Sequence, residues 1–272
     1  MQCIISALKA ESVPLILFYK LEKNNSFSFP FYKKDDLCLL IVGVGKKEIE
    51  KRIFEVLDRY NERVIQFINI GIAGSQRGFS EIGNIFLINK IIDQESKKNY
   101  FPDLIINSNL AESSITTVRS SVSDGGNSYN TLVDMEASEI YKVCSKRILT
   151  HQISFIKIVS DYMDSGVYSL DKKSVNLLVY SKLKEINNYL EKIKKVGDLI
   201  VPILSDIDLQ WIERTKHVLK LTETQYHQLI SCSKSYRLKN PNKILDDTMV
   251  IKPSSKFERN NILKAICENL SA

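Results

Sequence analysis

Three carboxylates of this chain stand where an apolar run gives way to a turn. Glu11 follows the run 2–7, Glu136 follows Leu132-Val133-Asp134-Met135, and Asp161 follows the run 153–159 through Ser160. A carboxylate so placed has its backbone held by a sheet while its side chain points into the crevice beyond the strand ends, where α/β proteins bind ligands. A carboxyl group held in such a crevice can give or take a proton in a reaction. Each residue also has a plainer reading. Ile140, Tyr141, Val143 and Cys144 recur at helical spacing after Glu136, and an acidic residue at a helix start is favoured by the helix dipole. Glu11, ahead of Pro14, reads equally well as a solvated turn glutamate.

The elements that must position these groups alternate. Apolar runs at 2–7, 37–43, 64–71, 84–92, 115–122 and 153–159 predict strands, with Val133 and Met135 inward in a further strand end. Helical periodicity follows Gly45, with Ile49, Ile53, Val56 and Leu57 on one face, and returns after Glu136 and over 174–193. Residues 93–112 are polar and read mostly as loop. Gly43-Val44-Gly45 and Gly71-Ile72-Ala73-Gly74 read as two small-residue turns. Such turns either offer backbone N–H groups to an anion or are simply tight. Glu48 stands where a dinucleotide fingerprint needs its third glycine, so that motif is not supported. The pattern predicts an α/β fold with a parallel or mixed sheet. From Pro202 onward only helices are expected, with Trp211 as a core anchor, capping-box spacing at Thr222-x-x-Gln225 and Ser255-x-x-Glu258, and a break at Asn240-Pro241-Asn242. The boundary falls near 196–205, giving a domain over 1–196 and a helical extension over 197–272.

Composition narrows the classes. The net charge is +6 and no block of basic residues concentrates it, since residues 197–272 hold eleven Lys/Arg against nine Asp/Glu. Lys234, Arg237, Lys239 and Lys243 are the basic residues a nucleic acid would use, and they read instead as a solvated face. Five widely spaced cysteines, without CxxC or CxxH, point to reduced core thiols and a cytoplasmic protein, and give no zinc signature. No run reaches the length of a membrane span.

The ordered set Ala7-Leu8-Lys9-Ala10-Glu11, Gly43-Val44-Gly45-Lys46, Asn69-Ile70-Gly71-Ile72-Ala73-Gly74, Ile82-Gly83-Asn84-Ile85, Val133-Asp134-Met135-Glu136-Ala137 and Ile158-Val159-Ser160-Asp161 resembles the nucleoside phosphorylase superfamily. Within it the chain is most similar to methylthioadenosine/S-adenosylhomocysteine nucleosidases, over residues 1 to about 195. The resemblance implies a three-layer sandwich around a twisted, partly barrel-like mixed sheet, and cleavage of an N-ribosidic bond. It implies that Glu136 with Met135 holds the ribose, that Asp161 with Ser160 assists protonation of the leaving purine, and that Glu11 activates water. The small-residue turns, with Val44, Ala73 and Gly74, would face the incoming nucleophile. No cofactor is implied, and homo-oligomers are usual in the family. Asn69 stands where the phosphorylases carry an arginine, which favours water. The alternatives are a phosphorylase with phosphate as co-substrate held by Lys46, Arg77 or Arg119, and a non-catalytic nucleoside-binding accessory protein acting through the tail.

Overall fold

The apolar runs pair into one ten-stranded sheet. The computed structural model describes residues 1–43, 45–60, 66–164, 171–198, 203–245 and 252–271, which fall into two units, Met1–Asp198 and Leu199–Ala272. The first unit runs β1 (Gln2–Ser6), α1 (Lys9–Tyr19), β2 (Glu22–Lys23), β3 (Phe31–Lys34), β4 (Leu37–Ile41), α2 (Lys46–Tyr60), β5 (Gln66–Gly74), β6 (Ile85–Asp93), β7 (Asn99–Tyr100), β8 (Ala111–Thr117), β9 (Leu132–Asp134), α3 (Ala137–Cys144), β10 (Ile153–Asp161), α4 (Lys172–Ser181) and α5 (Leu183–Asp198).

The strand order is β10-β6-β8-β9-β5-β1-β4-β3-β2, and β10 also pairs with β5. Strands β5, β10, β6, β8 and β9 therefore form a closed circuit, with the remaining strands extending from β5 as an open sheet. Pairing is mixed: β1 is parallel to β4 and β5, β10 is parallel to β5, and β6 is antiparallel to β10. Central strands buried on both faces carry near-continuous apolar runs, as β1 and β10 do.

Both faces are covered. Ile49, Ile53 and Val56 of α2 and Ile140 and Val143 of α3 pack with Phe67 and Phe155. Leu15 of α1, Val179 of α4 and Ile186, Tyr189 and Leu190 of α5 pack with Ile4, Ile68 and Ile156 on the other face. Each such fully buried side chain is worth about 1.5–3 kcal/mol relative to exposure, so the sheet is a stiff platform for whatever projects from its end.

Several boundaries differ from the sequence expectation. Glu11 is not in a turn: α1 begins at Lys9 and runs through Pro14, whose fixed φ suits a helix at the loss of one backbone bond. Gly71 and Gly74 lie within β5 rather than in a turn. The polar stretch 93–112 contains β7 and the start of β8, and the strand expected at 115–122 occupies Ala111–Thr117. The helix expected over 174–193 is two helices, separated at Lys182 by a non-helical backbone.

The second unit has α6 (Asp206–Leu219), α7 (Glu223–Lys239) and α8 (Lys256–Ser271). Its core gathers Trp211, Ile212, Leu219, Leu229, Leu263 and Cys267. Thr222 and Gln225 form the expected capping box, and Ser205 with Asp208 forms another. Asp208 is fully buried; it accepts hydrogen bonds from the Ser205 and Leu245 N–H groups and pairs with Arg237 at 3.0 Å. Arg237 is therefore no part of a solvated basic face. All five cysteines are free thiols. Among the described residues no helix is long and apolar enough to cross a membrane.

Candidate active site

Strand β10 delivers Lys157 and Asp161, and β5 makes room for Asp161 and for Glu11. Their register pairs Lys157 with Gly71, Val159 with Ala73 and Asp161 with Gly74, with an irregularity at Ser160. Such an extra residue bends the strand and re-aims the side chains after it. A Cβ on Gly71 would lie 2.9 Å from Glu11 Oε1, and one on Gly74 would lie 3.0 Å from Asp161 Oδ1. Each glycine is thus the seat of one carboxylate. Three residues of strand separate the seats, about 10 Å at 3.3 Å per residue.

Glu11 is 3% exposed. Its Oε2 accepts from the Leu8 N–H at 2.8 Å and its Oε1 from the Ile72 N–H at 3.0 Å. The side chain thus ties the start of α1 to β5. Burial raises its pKa above the ordinary carboxylate value, against the lowering effect of the two N–H groups and of Lys157. A carboxylate with both oxygens fixed and a raised proton affinity suits a general base.

Lys157 and Asp134 are the residues that sequence reasoning missed. They form a buried ion pair at 2.8 Å. Asp134 also accepts from Thr117 Oγ1 at 2.7 Å and from the Ala137 N–H at 2.9 Å, so Asp134 caps α3. Glu136 holds the N-cap position of α3, at the helix start where the dipole favours a carboxylate, and makes no side-chain cap bond. Burial works against the Lys157 ammonium, but Asp134, Glu136 and Glu11 together raise its pKa. Glu136 is half-buried; burial, then the Asp134 carboxylate, push it up to about 7, against Lys157, with Glu11 adding to the rise. Asp134 thus pairs with the ammonium directly, and Glu11 lies beside it at Gly71. The signal was present in the sequence: a lysine inside Ile153-Ser154-Phe155-Ile156-Lys157-Ile158-Val159 cannot be buried without a partner.

Asp161 is 8% exposed and sits at the other seat. Ser160 Oγ donates to its Oδ2 at 2.6 Å, and the Met163 N–H donates to its Oδ1 at 2.9 Å. Ala73 is buried and its carbonyl lies 3.3 Å from Ser160 Oγ. Met135, expected inward, is 37% exposed where the chain leaves β9; the turn into α3 carries it outward while Val133 remains in the core. Val44 lies outside the described residues. Of the cations considered for phosphate, Lys46 pairs with Glu95, Arg77 pairs with Asp164 at 2.8 Å, and Arg119 is exposed. Among the described residues no group of three or more His, Cys, Asp or Glu is placed to hold a metal ion.

No protein-family model matches the sequence, and no curated protein matches it significantly. Solved structures do match the fold. The 5′-methylthioadenosine nucleosidase of Arabidopsis thaliana, in apo form, aligns with a TM-score of 0.59 at 16% identity, covering 74% of this chain and 96% of that one. The nucleosidase (MTAN) of Chlamydia trachomatis gives 0.55 at 21% identity, over 69% and 97% of the two chains. The futalosine hydrolase of Helicobacter pylori gives 0.56 at 14%, over 70% and 97%. The C-terminal helices lie beyond this coverage. The first unit of this chain shares the fold of these nucleosidase and hydrolase structures.

Proposed function

We propose that the protein is a nucleosidase that hydrolyses the N-ribosidic bond of a purine nucleoside or nucleoside-like compound. The observation that carries this reading is the seating of Glu11 and Asp161 on Gly71 and Gly74 of one strand, with the Lys157 ammonium beside Glu11. Water bound at Glu11 loses a proton to that carboxylate as its oxygen bonds to the anomeric carbon. The carbon–nitrogen bond breaks, its electron pair leaves with the base, and the base takes a proton from the Asp161 carboxyl group, which is left ionised and regains a proton from solvent. Glu136, ionised, accepts hydrogen bonds from the ribose hydroxyls and steadies the positive charge growing on the sugar. Proton transfer of this kind typically contributes about 10²–10⁴-fold per group.

The phosphate-dependent alternative has less support, because Lys46 and Arg77 already face Glu95 and Asp164. A base-release assay over a panel of nucleosides, with and without phosphate, tests the reading. Release that needs no phosphate and disappears in Glu11→Gln and Asp161→Asn is expected. Strict phosphate dependence, or no release from any nucleoside, overturns it.

A further inference from the structure

The scheme above gives Met163 no task, yet the local structure is built around it. Its backbone has φ +54, the left-handed region, which costs a residue with a side chain about 1–2 kcal/mol. Its N–H donates to Asp161 Oδ1 and its carbonyl accepts from the Gly125 N–H at 2.7 Å. The side chain is 2% exposed and packs with Val118 and Val133, flanked by Val122 and Tyr129. It also lies across two glycines. A Cβ on Gly74 would stand 2.6 Å from Met163 Cγ as well as 3.0 Å from Asp161 Oδ1, and a Cβ on Gly126 would overlap Met163 Cε. The thioether therefore runs alongside the Asp161 carboxylate, from the Gly74 seat to the Gly125-Gly126 turn, and fills the space there.

We propose that Met163 determines which leaving base the site accepts, by limiting the bulk a heterocycle can carry beside the atom that meets Asp161. This rests on the nucleosidase reading. In a purine protonated at N7, the substituent on C6 is the neighbour on the same edge and would press against the thioether. On this geometry hydrogen or an amino group at C6 is the expected limit, and a large group would have to displace the thioether. The linear methionine side chain has three rotatable bonds and sets a soft limit rather than a rigid wall.

The test compares adenosine with N6-benzyladenosine in the full chain, as wild type, Met163→Ala and Met163→Leu, with folding of each checked by thermal unfolding. The ratio of kcat/KM for the benzyl compound over adenosine is expected to rise at least about tenfold in Met163→Ala, as methylene-sized changes in a pocket do. The volume-conserving Met163→Leu should leave the ratio within about threefold of wild type. Dissociation constants for the same two nucleosides, by calorimetry, report selectivity without turnover. Hydrolysis with an unchanged ratio in Met163→Ala overturns the role of Met163 and leaves the nucleosidase reading standing. A shifted binding ratio without base release sustains the role of Met163 and overturns hydrolysis. Neither binding nor release in the folded wild type overturns both.

Discussion

Lys157→Met is the sharpest perturbation of the buried cluster. The ammonium pairs with Asp134 and offsets part of the rise in the Glu11 and Glu136 pKa values, and methionine keeps the volume while removing the charge. Asp134 then stays buried with the Thr117 hydroxyl and the Ala137 N–H as its donors. Breaking a buried ion pair by removing one partner costs roughly 3–5 kcal/mol. The two donors that remain place this case at the low end, about 3 kcal/mol, a large share of the roughly 5–15 kcal/mol that stabilises a typical protein. Urea unfolding followed by far-UV circular dichroism at pH 7.5 measures it; fluorescence of Trp211 reports the second unit instead. The loss must also depend on pH. Without Lys157 the Glu11 and Glu136 pKa values, already raised, rise further in the folded state. A carboxylate whose folded pKa exceeds its unfolded value destabilises the fold above the unfolded value, near 4.3 for Glu, and has no effect below it. The difference between variant and wild type should therefore shrink from pH 7.5 to pH 5. The double variant Lys157→Met/Asp134→Asn should recover most of the loss, with a coupling of about 1 kcal/mol or more. A loss under about 1 kcal/mol at pH 7.5, or one equal at both pH values, would refute the ion-pair argument.

For the proposed reaction, kcat/KM in the wild type should fall as pH drops through about 7, since protonated Glu136 no longer accepts from both ribose hydroxyls; Asp134→Asn, which removes a neighbouring negative charge, should move that midpoint lower in a pH–rate profile. Glu136→Gln should lower kcat/KM by roughly 10- to 100-fold, the worth of a hydrogen bond to a charged group, and an unchanged value would remove Glu136 from the sugar. Gly71→Ala puts a methyl 2.9 Å from Glu11 Oε1, where two backbone N–H groups hold the carboxylate; steady-state kinetics should show kcat reduced with KM little moved. In the second unit, burial pushes the Asp208 pKa up but the Leu245 and Ser205 donors and Arg237 outweigh it, so the net shift is downward. A lowered aspartate stabilises the fold above its unfolded pKa, near 3.9, and that contribution is lost as pH falls further. Asp208→Asn should flatten the acid limb of the unfolding curve read from Trp211 fluorescence, and an unaltered limb would count against it.

The strand runs and the helix faces were legible because burial writes them as apolar periodicity: 37–43 and 153–159 declared β4 and β10, and Ile49, Ile53 and Val56 declared α2. What periodicity does not encode was missed. β7 is two residues long, and β8 begins with Ala111-Glu112-Ser113-Ser114, whose polar side chains hide a strand. Lys182 splits one helical pattern into two without a proline or glycine to announce it. At the site, Glu11, Glu136 and Asp161 were found because they follow apolar runs. Their seats were misread, since a glycine that admits a neighbour's carboxylate looks in sequence like a glycine that makes a turn. Lys157 was overlooked for the opposite reason: it sits inside an apolar run and was absorbed into it.

The closed circuit β5-β10-β6-β8-β9 also bears on how the chain reaches this state. Glu11 is contributed by the first helix, Asp134 and Glu136 by the β9–α3 junction, and Lys157 and Asp161 by the strand that shuts the ring. β10 pairs with β5 across more than eighty intervening residues, and closing so long a segment must be paid for in chain entropy before the pairing returns any energy. Within the open sheet, β1 pairs with β4 only thirty-five residues on and is able to form earlier. Lys157 and Asp161 both come from β10, so during synthesis no fragment ending before residue 161 holds a complete site.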